Sequence, residues 1–77
     1  EMSYHQKTLG DIVRTIAGRN YVTAVVDPGL DTVNIEHIDQ TNESDGSFLT
    51  RLVQLNGATA CVKNWSLLFM VQGGNTT

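Results

Sequence analysis

Residues 48–63 read Phe48-Leu49-Thr50-Arg51-Leu52-Val53-Gln54-Leu55-Asn56-Gly57-Ala58-Thr59-Ala60-Cys61-Val62-Lys63, and their reading decides the fold. Asn56-Gly57 is the strongest short hairpin signal in the chain, because both residues accept the positive φ of a type I′ turn. The flanks then become its arms, a strand from Phe48 to Leu55 and a return strand from Ala58 to Lys63. Downstream, Asn64 and Trp65 punctuate, and Ser66 to Gln72 supplies a last strand through Leu67, Leu68, Phe69, Met70 and Val71. Upstream, Gln40 to Gly46 is polar and turn-rich, hence a loop. Thr32 to Asp39 is a strand with Val33 and Ile35 on one face and Asn34 and Glu36 on the other. Ile38 breaks that alternation, which predicts a bulge or sharp bend near His37. Asp27-Pro28-Gly29 reads as a turn with Gly29 at positive φ. Tyr21 to Val26 is a further strand, rich in β-branched residues and apolar on both faces.

In front of these strands lies a helix over about residues 4–18. Leu9, Ile12, Val13, Ile16 and Ala17 follow the i, i+3, i+4, i+7, i+8 spacing of one apolar stripe. Two capping boxes compete for its start, Ser3 with Gln6 and Thr8 with Asp11, and Gly18 offers a left-handed stop. Strands occupy about residues 20–72, and the polar residues 73–77 form a flexible tail.

The chain has 77 residues, 40% of them hydrophobic, so residues 1–77 form one domain with a core of marginal size. Only 17% are charged, below the roughly 25% usual in soluble domains, which predicts that part of the surface is hidden in an oligomer. A net charge of -3 argues against a protein that coats DNA. A single cysteine, Cys61, excludes an internal disulfide, and with two histidines it cannot build a structural zinc site. No apolar run is long enough for a membrane helix, and no signal peptide stands at the N-terminus, so a cytoplasmic location in a bacterium or virus-infected host is expected.

Five strands, several of them apolar on both faces, are not satisfied by one flat sheet in water. The expected fold is mainly β: an N-terminal helix followed by five strongly bent antiparallel strands that curl into a small barrel. Edges left open by the barrel would pair with a neighbouring copy, giving a homo-oligomer, most economically a ring.

Chemistry is sparse. Asp27, Asp31, Glu36, Asp39, Glu43 and Asp45 cluster around the second strand, and in a barrel they would form an acidic rim, with solubility as their plainer role. Thr41 to Gly46 has the Asp-Gly of a calcium loop but lacks its first acidic ligand and its bidentate Glu. Glu36-His37-x-Asp39 places His37 and Asp39 on one strand face, yet two ligands without a third make a weak site, and His5 near the terminus offers less. Cys61 reads as a buried free thiol. No phosphate loop, nucleophile elbow or carboxylate pair is present, so neither an enzyme, nor a cofactor, nor a metal is expected. Trp65, beside Lys63 and Asn64, suits an anchor in a core or interface, or base stacking.

The order of helix and five bent strands resembles the Sm/LSm family of ring-forming RNA-binding proteins, an SH3-like small barrel. Ile35, Ile38 and Asp39 match the family's apolar-x-x-apolar-Asp pattern, and Asn42 follows one residue early, while Val33 stands where Gly is usual. By strand count, Lys63-Asn64-Trp65 occupies the place of the second signature; Val71 to Asn75 looks closer by its letters. The resemblance implies a ring whose pore brings together Asp39, Asn42, Lys63, Asn64 and Trp65 to hold single-stranded RNA or DNA without catalysis. Two alternatives stand beside it: a phage or bacterial protein-interaction or inhibitor module, and a structural assembly subunit.

Overall fold

The computed structural model describes residues 2–71. Gln72 and the expected tail 73–77 lie outside the described residues. The element order is β1 (Met2–Thr8), α1 (Leu9–Arg19), β2 (Thr23–Val26), α2 (Pro28–Asp31), β3 (Asn34–Gln40), α3 (Asp45–Asn56), β4 (Ala58–Lys63) and β5 (Ser66–Val71). The described residues thus form a small α/β domain with five strands in two open sheets, in place of the expected helix-capped barrel. One sheet pairs β1 with β3 antiparallel; the other runs β2-β5-β4, with β2 parallel and β4 antiparallel to β5.

Helix α1 carries the anticipated stripe, with Leu9, Ile12, Val13, Ile16 and Ala17 all buried. Of the two rival caps the second operates: the Thr8 hydroxyl accepts from the Asp11 amide at 3.1 Å. Residues before Thr8 are freed to pair as β1, so the helix starts five residues later than expected. Its end also differs. Gly18 stays helical, and the left-handed residue is Tyr21, at φ 61°. The Val22 amide donates to Ala17 and the Tyr21 amide to Gly18, so the last carbonyls are satisfied by a Schellman turn built on tyrosine instead of glycine.

The segment 48–56 is helix, not strand. Ser44 caps α3 by accepting from the Ser47 amide, Asp45 sits in its first turn, and Gly57 ends it at φ 60°. Phe48 and Leu52 are fully buried, with Leu49 and Val53 half-buried beside them. The turn at Asp27-Pro28-Gly29 is the start of the short helix α2, capped by the Asp27 carboxylate on the Gly29 amide, and Gly29 needs no positive φ.

The core lies where α1 and α3 meet both sheets. Tyr4 of β1 stacks on Phe48 at 5.8 Å between centroids, and Leu67 and Phe69 of β5 complete it with Leu30 and Ala58. The β1–β3 register is constant from Met2↔Gln40 to Thr8↔Asn34 except that Gln6 and Glu36 do not pair. Gln6 takes φ 51°, so the expected irregularity near His37 is a twist on the partner strand without an inserted residue. It explains why Ile35 and Ile38, of opposite parity, both face inward.

Candidate assembly surface

A polar clasp holds the three elements that carry the sheets' surfaces. Arg19, at the end of α1, pairs with Asp45 at 2.6 Å and donates to the Gln40 side chain at 3.1 Å. Asn20 and Gln40 also donate to Asp45, each at 2.8 Å. Foremost the Arg19 contact, then those of Gln40 and Asn20, lower the Asp45 carboxyl to about 2. Beside the clasp, Arg51 grips Glu43 at 2.8 Å and holds that carboxyl below its usual range, while its guanidinium lies over the Phe48 ring. Arg14 pairs with Asp31 at 2.9 Å. Asp31, Glu43 and Asp45 are therefore each paired with an arginine, which removes three of the six carboxylates expected in the acidic rim. Asp45 is equally unfit to serve a calcium loop, since its oxygens are taken by Arg19, Asn20 and Gln40.

The sheet β2-β5-β4 has one covered face and one open face. Directly paired residues share a face, so Val25, Leu68 and Cys61 make one row across the three strands, and Met70 and Thr59 the next. Val25 is 40% exposed, Leu68 and Met70 are half-buried, and Cys61 is exposed instead of buried as the sequence suggested. On the covered face the sheet is only partly filled: a shallow groove of about 290 Å³ runs between α3 and β4, lined by Leu49, Thr50, Val53, Ala60 and Val62. Val62 remains 63% exposed.

One end of this sheet carries two exposed aromatic side chains. Lys63 pairs with Ser66, so Asn64 and Trp65 are the two central residues of the β4–β5 hairpin, at φ 52° and 61°. The type I′ geometry expected at Asn56-Gly57 is found here. Trp65 is 79% exposed, which removes it from the core, and its carbonyl accepts from the Thr23 amide at 2.9 Å. That bond brings the turn holding Tyr21, itself 90% exposed, to the same end of the sheet. A left-handed conformation costs a bulky residue about 1–2 kcal/mol. Both aromatics accept that cost and gain no burial within the described residues.

Of the residues singled out from the sequence, Lys63, Asn64 and Trp65 lie together at this hairpin. Asp39 is on the other sheet, bonded to the Ser3 hydroxyl at 2.7 Å and to His37, and Asn42 sits in the exposed loop after β3 at φ 52°. Tyr21 was overlooked; the Gly18-Arg19-Asn20 ending drew attention to glycine, and nothing local marks a tyrosine as the left-handed residue. Among the described residues no helix is long and apolar enough to cross a membrane, and no group of three or more His, Cys, Asp or Glu is placed to hold a metal ion.

The described residues thus present an open mixed sheet braced by helices, with an exposed apolar row and exposed aromatics at one end. The profile of the phage tail baseplate hub (GPD) family matches residues 1–75. The chain is 49% identical over all 77 residues to proteins named "probable baseplate hub protein" in Escherichia phage 186 and in Escherichia phage P2. This chain belongs to the phage tail baseplate hub family. It spans about a fifth of the length of these relatives, 20% of each. The membership overturns the Sm/LSm resemblance and with it the RNA-binding ring: the matching letters at Ile35, Ile38 and Asp39 lie on a two-stranded ribbon, and the third barrel strand is helix α3.

Proposed function

We propose that this chain is a structural segment of a phage tail baseplate hub, working without catalysis inside the particle that assembles in the infected host. The observation that carries the reading is the family match across nearly the whole chain. The geometry supports a way of working. Tyr21 and Trp65 at the end of the three-stranded sheet, with the open row Val25, Leu68 and Cys61, contact neighbouring subunits of an oligomeric hub. Exposed aromatics held on rigid turns lose little conformational entropy on docking and anchor interfaces efficiently.

The test replaces both aromatics by asparagine, which tolerates the left-handed backbone and so preserves the turns. A full-length hub protein carrying Tyr21→Asn and Trp65→Asn is expressed in cells infected by hub-defective phage. Soluble, folded hub with at least a tenfold loss of plaque-forming particles is expected. Undiminished particle yield overturns the proposed contact.

A further inference from the structure

The two-stranded ribbon holds a cluster that the assembly reading does not use. His5 and His37 are direct cross-strand partners, and their Nδ1 atoms face each other at 3.0 Å on the exposed side of the ribbon. His37 Nε2 lies 3.2 Å from Asp39 Oδ2, and the Ser3 hydroxyl donates to Asp39 Oδ1 at 2.7 Å. Sequence alone gave His37 no second imidazole, because His5 is 32 residues away; pairing of β1 with β3 brings them together.

For neutral rings the hydrogen bonds select one tautomer pair. An ionised carboxylate only accepts, so neutral His37 donates from Nε2 and leaves Nδ1 as a lone pair. His5 then donates its Nδ1 proton to that lone pair. A histidine whose far N–H is held by a carboxylate, itself held by a second donor, has the arrangement that orients metal-bound imidazoles. Two nitrogens about 2.05 Å from one ion lie about 2.9 Å apart at a 90° angle and about 3.3 Å apart at a tetrahedral one. The spacing of 3.0 Å places both nitrogens within reach of one ion, and the greater intrinsic affinity of Cu²⁺ and Ni²⁺ for such donors favours them where only two imidazoles are supplied.

We propose that His5 and His37 form a two-imidazole site for a tetragonal divalent cation of the Cu²⁺ or Ni²⁺ kind, with Asp39 and Ser3 as positioning residues. Binding moves the His5 proton from Nδ1 to its own Nε2, and a small rotation of both exposed rings aims their lone pairs at one point. Water or a donor from a neighbouring chain fills the remaining positions. The consequence is mechanical: the ion bridges β1 and β3 at a paired position, next to the unpaired Gln6 and Glu36, and staples a ribbon that two strands alone hold weakly.

Copper titration of the full chain tests this, followed by electron paramagnetic resonance and by thermal melts at rising CuCl₂. Wild-type protein is expected to bind one equivalent, with nitrogen hyperfine structure from two imidazoles, and to melt higher as copper increases. His5→Gln and His37→Gln each weaken binding at least tenfold and abolish the rise in melting temperature. Asp39→Asn weakens binding about 10–100-fold while the two-nitrogen signature is kept. These side chains are exposed, so circular dichroism of each variant is expected to match wild type. Copper binding that survives His37→Gln unchanged places the ion elsewhere and overturns the site, as does the absence of binding to wild type.

Discussion

Tyr21 and Trp65 show how backbone conformation and surface chemistry are coupled at single residues. Each takes a position where glycine would be relaxed, and each keeps its ring in solvent. Tyr21→Asn is expected to stabilise the chain by about 0.5–1 kcal/mol, since asparagine visits the left-handed region at lower cost. Denaturant midpoints at neutral pH check it; a loss of stability would mean the ring packs where the structure leaves it exposed. Asp45 gives the opposite kind of residue, one whose contacts are all internal. Its carboxyl lies at about 2 against an ordinary 3.8. Between those values the unfolded chain binds more protons than the folded one. Its contribution is therefore complete above 3.8 and is lost as pH falls toward 2. Asp45→Asn is expected to cost about 1–2 kcal/mol at pH 7, because Arg19 loses its charged partner. The same change flattens the acid limb of the stability curve, and urea melts from pH 7 to pH 2 resolve both effects.

At the scale of elements, α3 decides the architecture. Phe48 is fully buried against Tyr4, and Phe48→Ala is expected to cost about 3–5 kcal/mol, a large share of a small domain's stability. Gly57→Val, at φ 60°, is expected to cost about 1–2 kcal/mol by forcing a β-branched residue into the left-handed cap. Guanidinium melts monitored by far-ultraviolet circular dichroism check both. These residues also show why the sequence misled. Phe48, Leu49, Leu52, Val53 and Asn56 have helical spacing, with Ser44 ahead and Gly57 behind, so cap and stop were both legible. Asn56-Gly57 competes as a hairpin signal, and a glycine that ends a helix is the same residue that would turn a hairpin. The stripe of α1 was readable from its helical period, and β2, β4 and β5 from short apolar or β-branched runs bounded by turn residues. Strand β1 was not, because Tyr4 is its one buried apolar residue within Ser3–Lys7 and gives no period to read.

For the whole molecule, the wrong reading of one segment propagated into function. Counting Phe48–Leu55 as a strand made five consecutive strands, the strands made a barrel, and the barrel made a nucleic-acid ring. With that segment helical, α1 and α3 cover the core among the described residues, and one face and one end of the three-stranded sheet stay open. The low share of charged residues in the sequence has a visible counterpart in Val25, Val62, Tyr21 and Trp65, which stay exposed. Of the candidate residues, Lys63, Asn64 and Trp65 were legible as a connector with something to offer; their companion Tyr21 was not, because only the fold brings it there. The proposed contact requires that this end of the sheet be buried in the assembled hub. Electron cryo-microscopy of tails containing this chain measures that directly: Tyr21 and Trp65 packed against a neighbouring subunit is the predicted result, and both rings facing solvent in the finished baseplate would contradict it.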